Sequence, residues 1–262
     1  MTTMTYLMRD HPGWDNTGNA WLRAANTPTG SVAVLTATEP SKRGPVMDTF
    51  HAPAQWPDTM PAALADALTS IGAVRRWASP SLWDAIATAI IRQVIRADQA
   101  RLQHQRFRRQ HGPAVSTSTG TLHALPRPET VAALQREDFQ QLGMAFKADA
   151  LGNAAAAYLD QHTKWLELTP LRLVEELQTV PRIGPWTAGA AVADFTHDWT
   201  LYPHSDLAVR TWAQIAAPDV DWPTTERDFA ERWREITGHH LGPATLFTLA
   251  WGARHAEQQS GP

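Results

Sequence analysis

The sequence predicts a mainly helical protein that begins with a small α+β domain. From residue 79 onward, apolar side chains recur at the spacing of one helix face, and the segments carry helix-start signals such as Ser79-Pro80 and Thr169-Pro170. Residues 20–50 instead hold short runs rich in β-branched residues, separated by Gly, Pro and Asn. We therefore place an N-terminal α+β domain at residues 1–72 and a helical core at residues 73–262.

Within the N-terminal domain, residues 20–24 and 31–37 predict two strands around a turn, and residues 46–50 predict a third strand. Residues 61–71 have the apolar spacing of a helix. Nothing in this domain indicates a chemical function, so a structural role is the favoured interpretation.

Composition excludes several classes of function. The chain has 262 residues, of which 43% are hydrophobic, and a net charge of −3, so any field that attracts nucleic acid must be local. It has no Cys, which excludes disulfides, thiolate catalysis and Cys-ligated zinc or iron–sulfur sites. No apolar run reaches the length of a membrane span and no signal pattern opens the chain, so we expect a cytoplasmic protein without a membrane partner.

The core begins with a helix capped by Ser79 or Ser81 that carries Gln93 and Val94 at its end. Residues 101–111 are rich in Arg and His, and a solvated helix face is the favoured interpretation. Residues 116–120 predict a loop, residues 126–139 one helix, and residues 154–159 further helical structure. The last two helices are expected at residues 223–236 and 241–256.

Residues 169–195 predict two helices joined by a tight hairpin. The first helix starts at Thr169-Pro170 and ends at Pro181, while the second spans residues 186–195 and is dense in Ala and Gly. Unpaired N–H groups and the helix dipole at such a corner favour an anion, and a phosphodiester is the natural one. Gly184 is expected to supply backbone freedom and close ligand approach. A simple packing turn explains the hairpin equally well.

A carboxylate follows at Asp206, 22 residues after Gly184 (206 − 184). Ser205 is expected to cap the next helix, which places Asp206 in its first turn, where the helix dipole stabilises a negative charge. A carboxylate that serves only as part of the helix start is the competing interpretation.

The hairpin and the carboxylate together resemble the helix-hairpin-helix, Gly/Pro-rich loop, catalytic-Asp superfamily of DNA glycosylases. Within it, the chain is most similar to the monofunctional alkylpurine branch, of the 3-methyladenine DNA glycosylase II type. The matching segments are Val180-Pro-Arg-Ile-Gly-Pro-Trp-Thr-Ala188, the Ser205-Asp206-Leu207 segment and Leu142-Gly-Met-Ala-Phe-Lys147-Ala148. The resemblance covers about residues 75–256 and implies two helical subdomains with the site between them.

The resemblance implies a base-only hydrolysis, with Asp206 stabilising an oxocarbenium-like sugar. Bifunctional members carry Lys two positions after the hairpin Gly, where this chain has Trp186. A flipped base would lie in a pocket formed by Trp186, Ala190 and Trp251. The residues expected to contact DNA are Gln93, Val94, Arg182, Ile183, Gly184 and Thr187, with Val94 as an apolar wedge.

For Gln93 and Val94, an exposed Gln beside a buried Val explains the residues equally well. The chain departs from the family pattern at Arg96, Arg182 and Ala190, which leaves open another modified, deaminated or oxidised base as substrate. A non-catalytic DNA-binding protein is the second alternative. We expect a monomer, associated with the nucleoid, that binds double-stranded DNA, needs no cofactor and can hold Na⁺ or K⁺ at the hairpin carbonyls.

Overall fold

The computed structural model of the protein describes residues 5–18, 20–37 and 46–259. The strands are β1 (Thr5–Leu7), β2 (Asp15–Asn16), β3 (Trp21–Asn26), β4 (Val32–Thr36), β5 (Met47–His51), β6 (Ala73–Trp77), β7 (Ala114–Thr117) and β8 (Gly120–His123). The helices are α1 (Ala62–Thr69), α2 (Leu82–Arg92), α3 (Ala97–His111), α4 (Pro128–Ala133), α5 (Arg136–Gln141), α6 (Ala148–Trp165), α7 (Pro170–Leu177), α8 (Pro185–Thr196), α9 (Leu207–Ala216), α10 (Glu226–Thr237) and α11 (Leu241–Gln259). Within these ranges, no helix combines the length and the hydropathy that a membrane span needs.

The chain forms two compact units that alternate along the sequence. The first unit takes its described residues from 1–10, 47–77 and 198–262, and the second from 11–46 and 78–197. Residues 1–72, grouped from the sequence as one N-terminal domain, therefore contribute to both units. The reason is partly that β6, which follows residue 72, pairs with both β1 and β5.

The first unit combines a three-stranded sheet with helices. Strand β6 lies in the middle, parallel to β1 and antiparallel to β5. Helix α1 packs against α9 and α11. Arg76 of β6 is 2% exposed, and its guanidinium donates to both carboxylate oxygens of Asp10 at 3.0 Å. It also lies 4.9 Å from the ring centre of Trp199, so this buried charge is compensated on two sides.

The second unit contains the antiparallel sheet β2-β3-β4 and the hairpin β7-β8, whose inner side chains share a small apolar core with β3. Two buried ion pairs tie this region to the helices: Arg23 with Asp84 of α2, and Arg108 of α3 with Asp15. Burial raises the pKa of the Asp84 carboxyl, and the neighbouring Arg23 offsets part of that rise. The N-terminal strands are thereby fixed to α2 and α3.

Helices α2 and α8 pack closely in the second unit because α8 is built from small residues. Ala188 and Ala193 are fully buried. At the start of α2, Ser79 donates from its backbone N–H to the Asp194 carbonyl and from its hydroxyl to the Asp194 carboxylate, at 2.9 and 3.1 Å. Ser81, the second of the two predicted caps, accepts from the Asp84 N–H at 3.1 Å.

The mainly helical fold with small sheets is confirmed. The strands predicted at residues 20–24, 31–37 and 46–50 appear as β3, β4 and β5, and the helix predicted at 61–71 appears as α1. The single helix predicted across residues 126–139 is wrong, because the Gln135 N–H donates to the Asp138 carboxylate at 2.8 Å and starts a new helix, α5. The loop at 116–120 is the turn of β7-β8, whose strands the sequence did not predict.

Candidate active site and nucleic-acid interface

The hairpin between α7 and α8 leaves backbone donors at the start of α8. Gly184 is the N-cap and Pro185 the first helical residue. The first intrahelical bond runs from the Ala188 N–H to the Gly184 carbonyl, at 3.0 Å. The N–H groups of Trp186 and Thr187 precede this bond and so have no acceptor within the helix, which is what allows a helix start to bind an anion; Trp186 is half-buried and Thr187 is buried.

The backbone freedom of this hairpin is needed at Arg182 rather than at Gly184. Gly184 has φ −94° and ψ 179°, an ordinary extended conformation, so the role expected from the sequence is wrong in this respect. Arg182 has φ 73°, in the left-handed region that side-chain-bearing residues adopt at a cost. A Cβ at Gly184 would meet no atom within 4 Å, so open space remains beside it.

A second turn with an unusual backbone follows α2. Val94 has φ 58° and is 88% exposed, so the interpretation as a buried Val is wrong. A β-branched side chain in the left-handed region is strained, and full exposure of its apolar surface adds a further cost. Strain of this kind persists where the surrounding structure enforces it, and it is concentrated at functional sites.

The neighbours of Gln93 enforce this turn and connect it to the hairpin. The Gln93 amide donates to the Thr187 hydroxyl and, at 3.5 Å, to the Arg182 carbonyl. The ammonium of Lys147, which is 2% exposed, donates to the Gln93 carbonyl. Burial lowers the pKa of Lys147 to about 8. The predicted contacts Gln93, Arg182 and Thr187 therefore belong to one hydrogen-bonded cluster, with Lys147 beneath it.

The Arg182 side chain lines a cavity of about 410 Å³ formed with α4, α5 and α6. Arg136 and Asp149 also line it and form an ion pair at 2.6 Å. Asn153 donates to the Pro181 carbonyl at 3.4 Å and so holds the hairpin from this side. Arg182 forms no ion pair with any described residue, which leaves its charge available in a cavity beside the hairpin.

Asp206 lies at the start of α9 in the first unit. It is the N-cap of that helix, so the capping role expected for Ser205 is wrong. Its carboxylate makes no capping bond and instead accepts a hydrogen bond from the Tyr202 hydroxyl at 2.8 Å. Tyr202 is 3% exposed and its ring packs beside Trp199 at 5.5 Å, so its hydroxyl holds the half-buried carboxylate in a fixed direction.

Aromatic rings gather where α9 packs on α11. Trp251 and His255 stack with ring centres 4.8 Å apart, and Trp212 meets them edge-on at 6.4 and 6.1 Å. Gly252 is required here, because a Cβ would come within 2.2 Å of the Trp212 ring. Trp251, predicted as a pocket residue, thus belongs to an aromatic cluster in the same unit as Asp206.

The remaining predicted site residues differ in what they can offer a ligand. Trp186 is half-buried, whereas Ala190 is 4% exposed. As whole residues, Ile183 and Thr187 are 4% and 1% exposed, so in this structure they present little surface to a ligand. In the described ranges, no group of three or more His, Asp or Glu side chains is arranged to hold a metal ion. The cation at the hairpin carbonyls stays a prediction.

Sequence reasoning missed four residues at these sites: Lys147, Tyr202, Trp212 and His255. One of them, His255, carried a readable signal, because it follows Trp251 by four residues; Tyr202 precedes Asp206 by the same interval, but outside a helix. That spacing places the members of a helical pair on one face. Only the Trp251 pair is helical, and the hydrogen bond of Tyr202 depends on the turn before α9.

Comparison with known proteins links these features to a fold. The Clostridium acetobutylicum 8-oxoguanine glycosylase/lyase, in complex with double-stranded DNA containing cytosine opposite 8-oxoG, superposes with a TM-score of 0.66 at 15% identity, covering 95% of this chain and 90% of that one. The 3-methyladenine DNA glycosylase from Archaeoglobus fulgidus gives 0.64 at 16% identity, with 92% and 89% covered. The Schizosaccharomyces pombe 3-methyladenine DNA glycosylase with abasic DNA gives 0.51 at 20% identity, with 65% and 79% covered.

The fold is that of the helix-hairpin-helix DNA glycosylases. No model of a protein family matches the sequence, and no curated protein matches it either. At 13–20% identity the structural neighbours establish the glycosylase fold. The reaction and its substrate have to be argued from the residues of the site.

Proposed function

We propose that the protein is a monofunctional DNA glycosylase that removes alkylated, cationic purines from duplex DNA. The observation that carries the proposal is the half-buried Asp206 carboxylate, held at a helix start by the buried Tyr202 hydroxyl. Breaking the N-glycosidic bond develops positive charge on the sugar, and a fixed carboxylate stabilises that charge. The same group can orient or deprotonate the attacking water.

The scarcity of lysine supports hydrolysis over a lyase reaction. A lyase forms a Schiff base through an amine, commonly that of Lys, and the chain contains only Lys42, Lys147 and Lys164. Lys42 lies outside the described residues. Lys147 is buried against the Gln93 carbonyl, and Lys164 is paired with Glu176 at 3.0 Å. The position two after Gly184 holds Trp186, which cannot form a Schiff base.

Aromatic surfaces support a cationic base as substrate. A 3-methylated adenine or 7-methylated guanine is already a good leaving group, so it needs an electron-rich surface more than a general acid. Trp251 and Trp212 supply such rings beside α9, and the half-buried Trp186 supplies another at the start of α8. We propose that the flipped base binds against one of these aromatic surfaces.

The second unit supplies groups suited to holding the DNA. The N–H group of the half-buried Trp186 and the guanidinium of the exposed Arg182 suit backbone phosphates. The exposed Val94 suits the space left in the duplex by a flipped base. The hydrogen bonds from Gln93 keep these elements in a fixed arrangement.

The proposal is tested by mass spectrometry of bases released from methylated genomic DNA. The parent protein should release 3-methyladenine or 7-methylguanine, and Asp206→Asn should abolish release while DNA binding survives. Asp219→Asn, an exposed carboxylate of the same unit, is the matched control and should keep the parent rate. If Asp206→Asn releases bases as fast as the parent, the mechanism is wrong.

An oxidised base is the second candidate substrate, because the structural neighbours include an 8-oxoguanine glycosylase/lyase. A panel of duplexes with one lesion each separates the candidates. Borohydride should trap no covalent complex if the reaction is hydrolytic. Replacing Trp186 with Ala should slow release of cationic bases more than it weakens DNA binding, and equal losses would mean that this ring serves only in packing.

A further inference from the structure

A second cavity lies away from the hairpin, in the region of the second unit where α3 faces the small sheets. Its volume is about 540 Å³. We call it the α3 groove and define it by Arg101, Gln105 and Arg109 of α3, Asn16 and Trp21 of the first strands, and Thr121 of β8. Gly120, at the turn of β7-β8, also lines it, and a Cβ there would meet no atom within 4 Å. The groove is therefore open on the side of the β7-β8 turn.

The charge of the α3 groove is positive and uncompensated. Arg108 and Asp98 reach it, but Arg108 is bound to Asp15, and Asp98 is paired with Arg96 at 3.1 Å. No described residue forms an ion pair with Arg101 or Arg109. Two guanidinium groups are therefore available in one cavity.

The pKa of the neighbouring His104 is lowered by burial and by the same positive charges. His104 lies beneath this face of α3, is 2% exposed, and has no hydrogen-bond partner for either ring nitrogen among the described residues. Burial lowers its pKa, and Arg108, Arg23 and Arg101 lower it further. The sequence-based interpretation of residues 101–111 as a solvated face holds for Arg106 but is wrong for His104 and Arg108, which are buried.

The spacing of the charges in the α3 groove favours a ligand with repeating anionic groups. Arg101, Gln105 and Arg109 lie at intervals of four residues, so they form one row about 12 Å long. A single phosphate cannot meet both ends of such a row, whereas a chain with repeating anionic groups can. Leu102, which is 44% exposed, and the half-buried ring of Trp21 add apolar surface beside the row. Cationic rows with adjacent rings are typical of surfaces that bind nucleic-acid strands.

We propose that the α3 groove binds the phosphodiester backbone of DNA outside the segment held by the hairpin. The proposal rests on the proposed function in that it takes DNA as the macromolecule that this protein binds. Helix α3 begins three residues after the exposed Val94. At 1.5 Å per residue, Arg101 lies about 6 Å and Arg109 about 18 Å from the start of α3. The distance to Arg109 corresponds to roughly five base pairs at 3.4 Å each. The groove thus continues from a segment already suited to DNA.

The test compares affinity for a short and an extended DNA with an abasic-site analogue at the centre. The short duplex has roughly four base pairs on each side of the analogue, and the extended forms add flanks that are either duplex or single-stranded. Arg101→Gln with Arg109→Gln should weaken binding of an extended form more than binding of the short duplex, which ends before it reaches Arg109. The slope of log affinity against log salt concentration should fall by about 2, because each phosphate contact contributes about 0.9. The form of flank that shows the loss identifies the strand state that the groove holds.

Arg227→Gln with Arg232→Gln is the matched control. It removes the same charge from α10, where both residues are exposed and paired with Glu231 and Glu235, so it should leave the slope unchanged. Equal losses on short and extended DNA, or an unchanged slope, would overturn the proposal. So would a dependence on Arg101 and Arg109 for binding of polyglutamate but not of DNA, which would indicate an acidic protein partner. Because only binding is measured, the result is independent of whether any base is released.

Discussion

Arg182 allows stability and DNA binding to be separated in one pair of variants. Its φ of 73° costs an L-residue roughly 1–2 kcal/mol, and Gly avoids that cost. Part of the gain is offset, because Gly makes the unfolded chain more flexible by roughly 0.4–1 kcal/mol. Arg182→Ala keeps the strained backbone, so Arg182→Gly should be more stable than Arg182→Ala by about 1 kcal/mol.

For a domain of this size, that difference corresponds to about 2–4 °C in melting temperature, measurable by calorimetry. DNA binding should not differ between the two variants, since both lose the same guanidinium. Loss of one charged contact to a phosphate should weaken binding by about 1.5 kcal/mol, roughly tenfold, and lower the salt slope by about 0.9.

Two results would refute this reasoning. If Arg182→Gly melts at or below Arg182→Ala, the backbone at this position stores no strain. If both variants bind DNA as tightly as the parent, the Arg182 side chain does not hold a phosphate, and its cavity beside α6 serves another purpose.

Three further predictions concern Lys147, Tyr202 and Gly252. Burial lowers the pKa of Lys147 from 10.5 to about 8, so between those pH values only the unfolded chain holds this proton. The free energy of unfolding should therefore rise by up to about 3 kcal/mol from pH 8 to 10.5. Denaturant titrations should show that Lys147→Met loses this rise. Tyr202→Phe removes the hydrogen bond to Asp206 and should slow single-turnover base release about tenfold with the melting temperature nearly kept; an unchanged rate would mean that the carboxylate needs no such support. Gly252→Ala places a Cβ 2.2 Å from the Trp212 ring and should cost about 1–3 kcal/mol in thermal unfolding, whereas parent stability would show that the ring moves freely.

The features that the sequence predicted well depend on residues close together in the chain. Ser81 caps α2 through a backbone group three residues away, and Pro170 begins α7 at the position where Pro is favoured. The positions of the hairpin and of the α9 start have the same local character, although the N-cap of α9 is Asp206 rather than Ser205. Type and spacing of residues within one or two turns are sufficient for such elements.

The features that could not be predicted from the sequence depend on distant partners or on backbone conformation. Strand β1 pairs with β6 across more than sixty residues, and Arg23 neutralises Asp84 across a similar distance. Glycine at 184 permitted a left-handed backbone, but the structure requires one at Arg182 instead. Residue type limits which conformations are allowed, while packing decides which one is adopted.

The alternation of the two units along the chain affects how the protein can be made. All segments of the second unit have left the ribosome once residue 197 is clear of the exit tunnel, so that unit can fold during synthesis. The first unit includes residues 198–262, whose helices α9 and α11 pack against α1, so it must wait for the last helices. Nascent chains halted before residue 207 would therefore carry the hairpin without the aspartate's supporting helix.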